Sequence, residues 1–202
     1  MKRLLVLSML LVMLLPIMAF ASEGYGAGAG KEGETYDVEQ ILIYALQDEY
    51  LARAEYTAIT ENFKVGRPFA NIMRAEGVHI DLLLPLFAAY GVPVPADTAA
   101  SLVTLPDSLE SAYQLGVKAE EANIMMYDTF LKQKNLPLDV AHVLETLKWS
   151  SGNHLNAFSQ GLGRNTTGRA GGGGCGCWDG SLDSEENDPN NNWSSSSSST
   201  FE

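Results

Sequence analysis

Ile41, Leu42, Ala45, Leu46, Ala52 and Tyr56 recur at the spacing of one helix face. Asp37-Val38-Glu39-Gln40, just ahead of them, resembles a capping box, so a first helix is expected to run from there to about Phe63. Gly66 and Pro68 interrupt the pattern, and a second helix follows from Pro68 to about Tyr90, with Gly91 and Pro93 as its stop. Pro85 lies inside that helix and is expected to kink it or weaken its last two turns. Residues 91–106 contain three prolines and little periodicity, which marks a long connection. Asp107-Ser108-Leu109-Glu110 reads as a second capping box and opens a third helix to about Lys134. After Pro137 a fourth helix is expected from Leu138 to Gln160, ended by Gly161 or Gly163. Strand signals are absent. Short links inside each helix pair and one long link between the pairs predict an all-α four-helix bundle: two antiparallel helix hairpins joined by a crossover.

The flanks differ in kind. Met1-Lys2-Arg3 is basic, Leu4 to Phe20 is almost wholly apolar, and Ala19-Phe20-Ala21 has the small-x-small form of a cleavage site. Residues 1–21 therefore read as a secretory signal peptide, cut before Ser22, which places the mature chain in the periplasm or outside the cell. A membrane anchor is the competing reading, but the run is short for a span, so no stable membrane span is expected after cleavage. No Cys follows the run, which argues against a lipoprotein anchor. Residues 22–35 are Gly-rich and expected to be loose. Residues 164–202 turn to Gly, Asn, Asp and Ser, too poor in apolar side chains to offset ordering entropy, and read as a flexible tail. The domain is thus expected over residues 36–163. Cys175 and Cys177, the only cysteines, lie in the tail and do not staple the core. The formal net charge of −12 without a basic patch makes nucleic acid a poor partner. Acidity suits an exported soluble protein and a cation binder equally.

Candidate chemistry sits on all four helices. Glu76-Gly77-Val78-His79 places a carboxylate and an imidazole one turn apart on one face. Bundles with two metal ions in their interior use such pairs, with a Glu from each of the other helices. Glu49 suits helix one, Glu120 suits helix three and His154 suits helix four. Tyr56 and Tyr127 each follow a candidate ligand, Glu49 and Glu120, by seven residues and share its face, either as core aromatics or as partners of the ligands. Ala52, between Glu49 and Tyr56, leaves room near a metal. Glu121 points about 100° away from Glu120, and Glu145 falls on the face opposite His154. The plain alternatives are a surface Glu76–His79 pair, a solvated Asp48–Glu49 face and a core His154 with no ligand role.

These residues carry a resemblance. Glu49 with Leu51-Ala52-Arg53, Phe69-x-Asn71-Ile72 leading to Glu76-x-x-His79, Tyr90-Gly91-Val92-Pro93, Glu120-Glu121 and Ser151-Gly152-Asn153-His154-Leu155-x-Ala157-Phe158 span nearly all of the expected domain. On them the chain resembles the ferritin-like superfamily, and more narrowly a prokaryotic branch of it whose function is unknown. The hairpin–crossover–hairpin order is also the ferritin-like arrangement. One position departs. Residue 151, three before His154, is Ser where a bridging Glu is usual. Ser151 and Asn153 then stand as groups that orient ligands or hold water. Three states of the site follow: a di-iron centre completed by solvent, a mononuclear site, or a degenerate one.

Carboxylate and imidazole ligands favour iron, with manganese also suited, over soft metals. The leading expectation is an exported metal-binding protein with Glu49, Glu76, His79, Glu120 and His154 as ligands. Its activity, if it is an enzyme, would be of oxidase or peroxidase type on dioxygen or peroxide. The rival is a non-catalytic module with a degenerate site and a tethering tail. Burial discriminates them: three acids converging inside the bundle favour metal, because unpaired buried carboxylates are costly.

Overall fold

The computed structural model describes residues 24–168; the leader and the tail with Cys175 and Cys177 lie outside the described residues. Four helices form the structure: α1 (Val38–Phe63), α2 (Phe69–Tyr90), α3 (Leu109–Leu131) and α4 (Leu138–Gly168). No strand occurs among the described residues. Helix α1 packs along α2, and α3 along α4. Smaller seams join α1 to α3 and α2 to α4. Cross-helix pairs give the directions. Tyr56 lies on Phe69, Tyr56 bonds Glu120, Tyr127 bonds Glu49, and Tyr113 lies on Phe158. Tyr90 also bonds Asp139. Each neighbouring pair is therefore antiparallel, so α2 and α3 run the same way. The connection between them must return along the bundle, and on its way Asp97 pairs with Arg53 of α1 at 2.8 Å.

Local chemistry sets the ends. Asp37 caps α1, with its side chain and that of Gln40 bonded reciprocally to backbone N–H groups. Gly91 ends α2 at φ 65°, with Gly91 N–H on the Ala88 carbonyl and Val92 N–H on that of Phe87. Some expectations about helix ends need correction. The α3 cap is Ser108, paired with Ser111 rather than Asp107 with Glu110, a shift of one residue. Helix α2 continues unbroken through Pro85, which is exposed on the outer face while Leu83, Leu86 and Phe87 hold the inner one. The N–H hydrogen bond that proline cannot make would lie on this exposed face.

Helix α4 also continues past Gly161 and Gly163 to Gly168. Gly161 is there for packing: a Cβ on it would stand 2.1 Å from Tyr113 Cε1. Gly116 has the same role on α3, where a Cβ would meet the Phe158 ring at 2.8 Å. That ring is fully buried and tilted against Tyr56 and Phe69, at centroid distances of 5.1 and 5.0 Å. Gly116→Ala is expected to lower stability by about 1–2 kcal/mol, overpacking outweighing the gain in helix propensity. A denaturation midpoint equal to wild type would show that the ring moves aside freely.

The Gly-rich N-terminal segment is not loose over its described part. Gly26–Ala29 forms a 3-10 turn packed on α1 and α3. Ala27 N–H donates to Asp48 Oδ1 at 2.9 Å, and Gly26, at φ 55°, lies so close that a Cβ would stand 2.9 Å from Asp48 Cα. Here glycine serves close approach of backbone to helix, a demand that composition does not separate from flexibility.

The core has two apolar clusters. One gathers Leu42, Leu46, Leu83, Phe87, Phe130 and Leu144 with their neighbours; the other gathers Tyr56, Ile59, Phe69, Ile72 and Phe158. A layer of buried polar side chains joins them.

Candidate metal centre

Every helix contributes to that layer, and all five residues singled out in the sequence are buried in it: Glu49, Glu76, His79, Glu120 and His154. His79 Nδ1 lies 2.7 Å from Glu76 Oε2 and 3.0 Å from Glu49 Oε2. His154 Nδ1 lies 3.2 Å from Glu76 Oε1 and 3.6 Å from Glu120 Oε1. The imidazoles stack, with centroids 5.6 Å apart and planes inclined by 24°. Glu76 thus sits between two half-sites, one oxygen toward each. Two sets of donor atoms lie close enough together to hold an ion: Glu49, Glu76 and His79, and Glu76, Glu120 and His154.

The tyrosines close the arrangement reciprocally. Tyr56 on α1 donates to Glu120 Oε1 on α3 at 2.8 Å, and Tyr127 on α3 donates to Glu49 Oε1 on α1 at 2.5 Å. The seven-residue spacing that aligns each tyrosine with the acid on its own helix delivers it, across an antiparallel seam, to the other acid. Both hydroxyls are fixed as donors, because burial and the nearby carboxylates raise the phenols well above their usual range.

The electrostatics follow from burial and proximity. Burial would depress both imidazoles, but the carboxylates outweigh it. Glu49 and Glu76 raise His79 to about 10, and Glu120 and Glu76 raise His154 to about 9. Burial raises Glu49 and Glu120, helped by repulsion from Glu76; for Glu76 the two imidazoles overcome burial and lower it. The five groups titrate as a unit. Without metal, two imidazolium ions neutralise most of the three acids and stand in for cations.

Balance is incomplete. Glu120 Oε2 is fully buried with no partner, and Glu76 Oε1 and His154 Nδ1, 3.2 Å apart as an ion pair, make no hydrogen bond. Such atoms are costly in a dry interior. The donor set fits a hard or borderline divalent cation, since it offers carboxylate oxygens and imidazole nitrogens and no thiolate. These buried Glu and His groups could hold a metal ion.

The remaining residues divide. Ser151 is buried one turn before His154, a hydroxyl where a fourth carboxylate would stand. Asn153 is exposed and takes no part in the layer, contrary to expectation; Ser150, not singled out in the sequence, meets His154 Nε2 at 3.3 Å instead. Glu121 and Glu145 are exposed, as their helical phase requires. Asp48 is buried beside Glu49 rather than part of a solvated face. Asn123, one turn after Glu120, is buried too and carried no signal, since an isolated Asn on a helix face has no characteristic partner spacing. No helix among the described residues is long and apolar enough to cross a membrane. The chain matches no protein family, curated protein or solved structure in the comparisons with known proteins.

Proposed function

We propose that this is an exported, ferritin-like protein that binds a non-haem metal, iron or manganese, in the bundle interior. The observation that carries the reading is the convergence of three buried acids and two imidazoles between two apolar clusters, with Glu120 Oε2 left without a partner and Glu76 Oε1 and His154 Nδ1 held only in ion pairs. Two imidazolium ions balance only two of the three buried acids, and a bound cation would balance the remainder. The helix directions, with α2 and α3 alike and a long return between them, support the ferritin-like assignment. Export rests on the apolar leader and its Ala19-Phe20-Ala21 site.

Glu49, Glu76 and His79 hold one ion in this reading, and Glu76, Glu120 and His154 the other, with Glu76 common to both. A bound ferrous pair would supply reducing equivalents for dioxygen or peroxide, an oxidase- or peroxidase-type reaction. The chain's own part is to orient and exclude. Tyr56 and Tyr127 fix the rotamers of Glu120 and Glu49, Ser150 steadies His154, and the aromatic cluster around Phe158 keeps bulk water out on one side. Ser151 leaves the charge of the ligand set short by one carboxylate, which solvent-derived hydroxide would supply.

The test is metal content of the purified full chain after anaerobic loading with ferrous iron and desalting. About two ions per chain are expected, as for a two-ion bundle site. His79→Ala with His154→Ala should retain none while keeping its far-ultraviolet helicity. Stoichiometric metal in that double variant would sink the assignment. So would a wild-type chain that takes up no iron, manganese or zinc; the fold would then serve as a non-catalytic module.

A further inference from the structure

A cavity of about 150 Å³ lies between α1 and α3, outside the five-residue centre. Its lining is mostly apolar: Ala27 of the N-terminal turn, Leu51, Ala52, Leu115, Ala119 and Ala122. The polar lining residues put little charge into it. Asp48 Oδ1 accepts from Ala27 N–H, and Oδ2 is closed to solvent and so does not face the cavity. Asn123 is uncharged. Lys118 is exposed and carries its ammonium into water. Glu55 is half-buried, and burial with Glu120 nearby raises it to about 7, which weakens its charge at neutral pH. Such a space suits neither an anion nor a cation. Apolar-walled cavities of about 150 Å³ stay dry in other folds and take up small apolar molecules such as benzene or xenon.

Its position ties the cavity to the centre. Ala52 and Asn123, both lining residues, stand one turn beyond Glu49 and Glu120. The effect of Glu120 on Glu55 shows that the centre is within electrostatic reach of the lining. The cavity therefore abuts the centre on its α1–α3 side, opposite the imidazoles that α2 and α4 supply.

We infer that this cavity binds a small uncharged apolar molecule beside the centre, and that of the two oxidants open to that centre it admits dioxygen rather than peroxide. The choice of oxidant rests on the metal reading; the binding itself needs no metal. Dioxygen gains by leaving water for alkyl walls, whereas peroxide would forfeit hydrogen bonds that alanine and leucine cannot return. Ala52, Ala119 and Ala122 form those walls, and their small side chains are what leaves the space open.

The test follows alanine methyl resonances of the metal-stripped full chain. Xenon should shift the Ala52 methyl saturably, while Ala45 and Ala112, fully buried in the two apolar clusters, stay in place. Dissolved dioxygen, which is paramagnetic, should speed relaxation of the Ala52 methyl well beyond that of Ala45 and Ala112. Hydrogen peroxide at the same concentration should leave all three unmoved. Ala122→Leu fills the cavity and should abolish both the xenon shift and the dioxygen effect; if that chain loses helicity, Ala119→Leu takes its place. A xenon response that is absent, that never saturates, or that persists in a folded Ala122→Leu or Ala119→Leu chain overturns the site. A saturable xenon shift with no dioxygen effect at Ala52, or with an equal response to peroxide, overturns the choice of dioxygen. Metal content is measured separately: a chain that binds xenon and no metal defeats the metal reading alone, and one that binds metal and no xenon defeats this inference alone.

Discussion

Glu76→Gln is expected to empty both metal positions at once, whereas Glu49→Gln and Glu120→Gln should each cost about one ion per chain. Glu76 is the only side chain common to the two donor sets, with Oε2 at 2.7 Å from His79 and Oε1 at 3.2 Å from His154. Glutamine preserves the volume and one carbonyl oxygen but removes the charge that both half-sites share. Electrostatic attraction to a divalent ion at contact distance is large in a dry site, so retention should fall below about a tenth of wild type. The same change strips the imidazoles of a common counter-ion in the metal-free chain, a loss of about 3 kcal/mol for a broken buried pair. Anaerobic loading followed by metal analysis reads the first effect, and urea titration of the stripped chain reads the second. If Glu76→Gln keeps two ions, Glu76 is not shared and the two-position reading falls. If it keeps one, the sharing is unequal and only one half-site depends on it.

Opposite pH trends are expected for the metal-free and the loaded chain. In the metal-free chain His79 and His154 titrate near 10 and 9, above the usual value of 6.5. A histidine raised on folding contributes stability that is complete below pH 6.5 and lost as pH climbs through 9 and 10. Glu49 and Glu120, raised by burial, add to the decline once pH passes 4.5. Glu76 is lowered, so its contribution is present above pH 4.5 and lost toward pH 2. The stripped chain should therefore melt highest at about pH 4.5, weaken above it as Glu49 and Glu120 titrate, and weaken further above about pH 6.5. Metal competes with the same protons, so affinity rises with pH as the imidazoles become free to ligate. The stabilisation by saturating metal, about 4 kcal/mol at a thousand times Kd, should widen from pH 6 to pH 9. Calorimetric melting of stripped and manganese-loaded chain across that range decides the matter. A gap that narrows with rising pH would mean that metal does not displace those protons.

Much of this arrangement was readable from residue order, and the misreadings have physical causes. The helices follow from periodicity and the Glu76–His79 pair from its spacing of three, both properties of a single helix. Glu49, Glu120 and His154 follow from the four-helix metal pattern that this pair completes. Helix ends were less secure. Gly161 looked like a stop because glycine ends many helices, but its reason for being there is the Tyr113 ring on another element. Gly26 looked like slack for the same reason, although it is the close approach to Asp48 that demands it. Asp48 sits one position from Glu49, some 100° around the helix, and enters the sequence reading only in the alternative of a solvated acidic face. Its burial arises from the N-terminal turn laid over it, which no pattern within α1 announces. Asn153 was placed near the centre because it adjoins His154, yet adjacency on a helix turns a side chain away rather than toward its neighbour's target.

The reciprocal pairing of Tyr56 with Glu120 and Tyr127 with Glu49 relates the two hairpins by an exchange of equivalent partners. Their donor sets are unequal. The first hairpin owns a complete donor set in Glu49, Glu76 and His79. The second holds Glu120 and His154 but has serine where its own Glu76 counterpart would be, and borrows that residue from its sibling. A change at Glu120 or His154 would therefore leave the first donor set whole, whereas a change at Glu76 breaks both, so the second hairpin depends on the first and not the reverse.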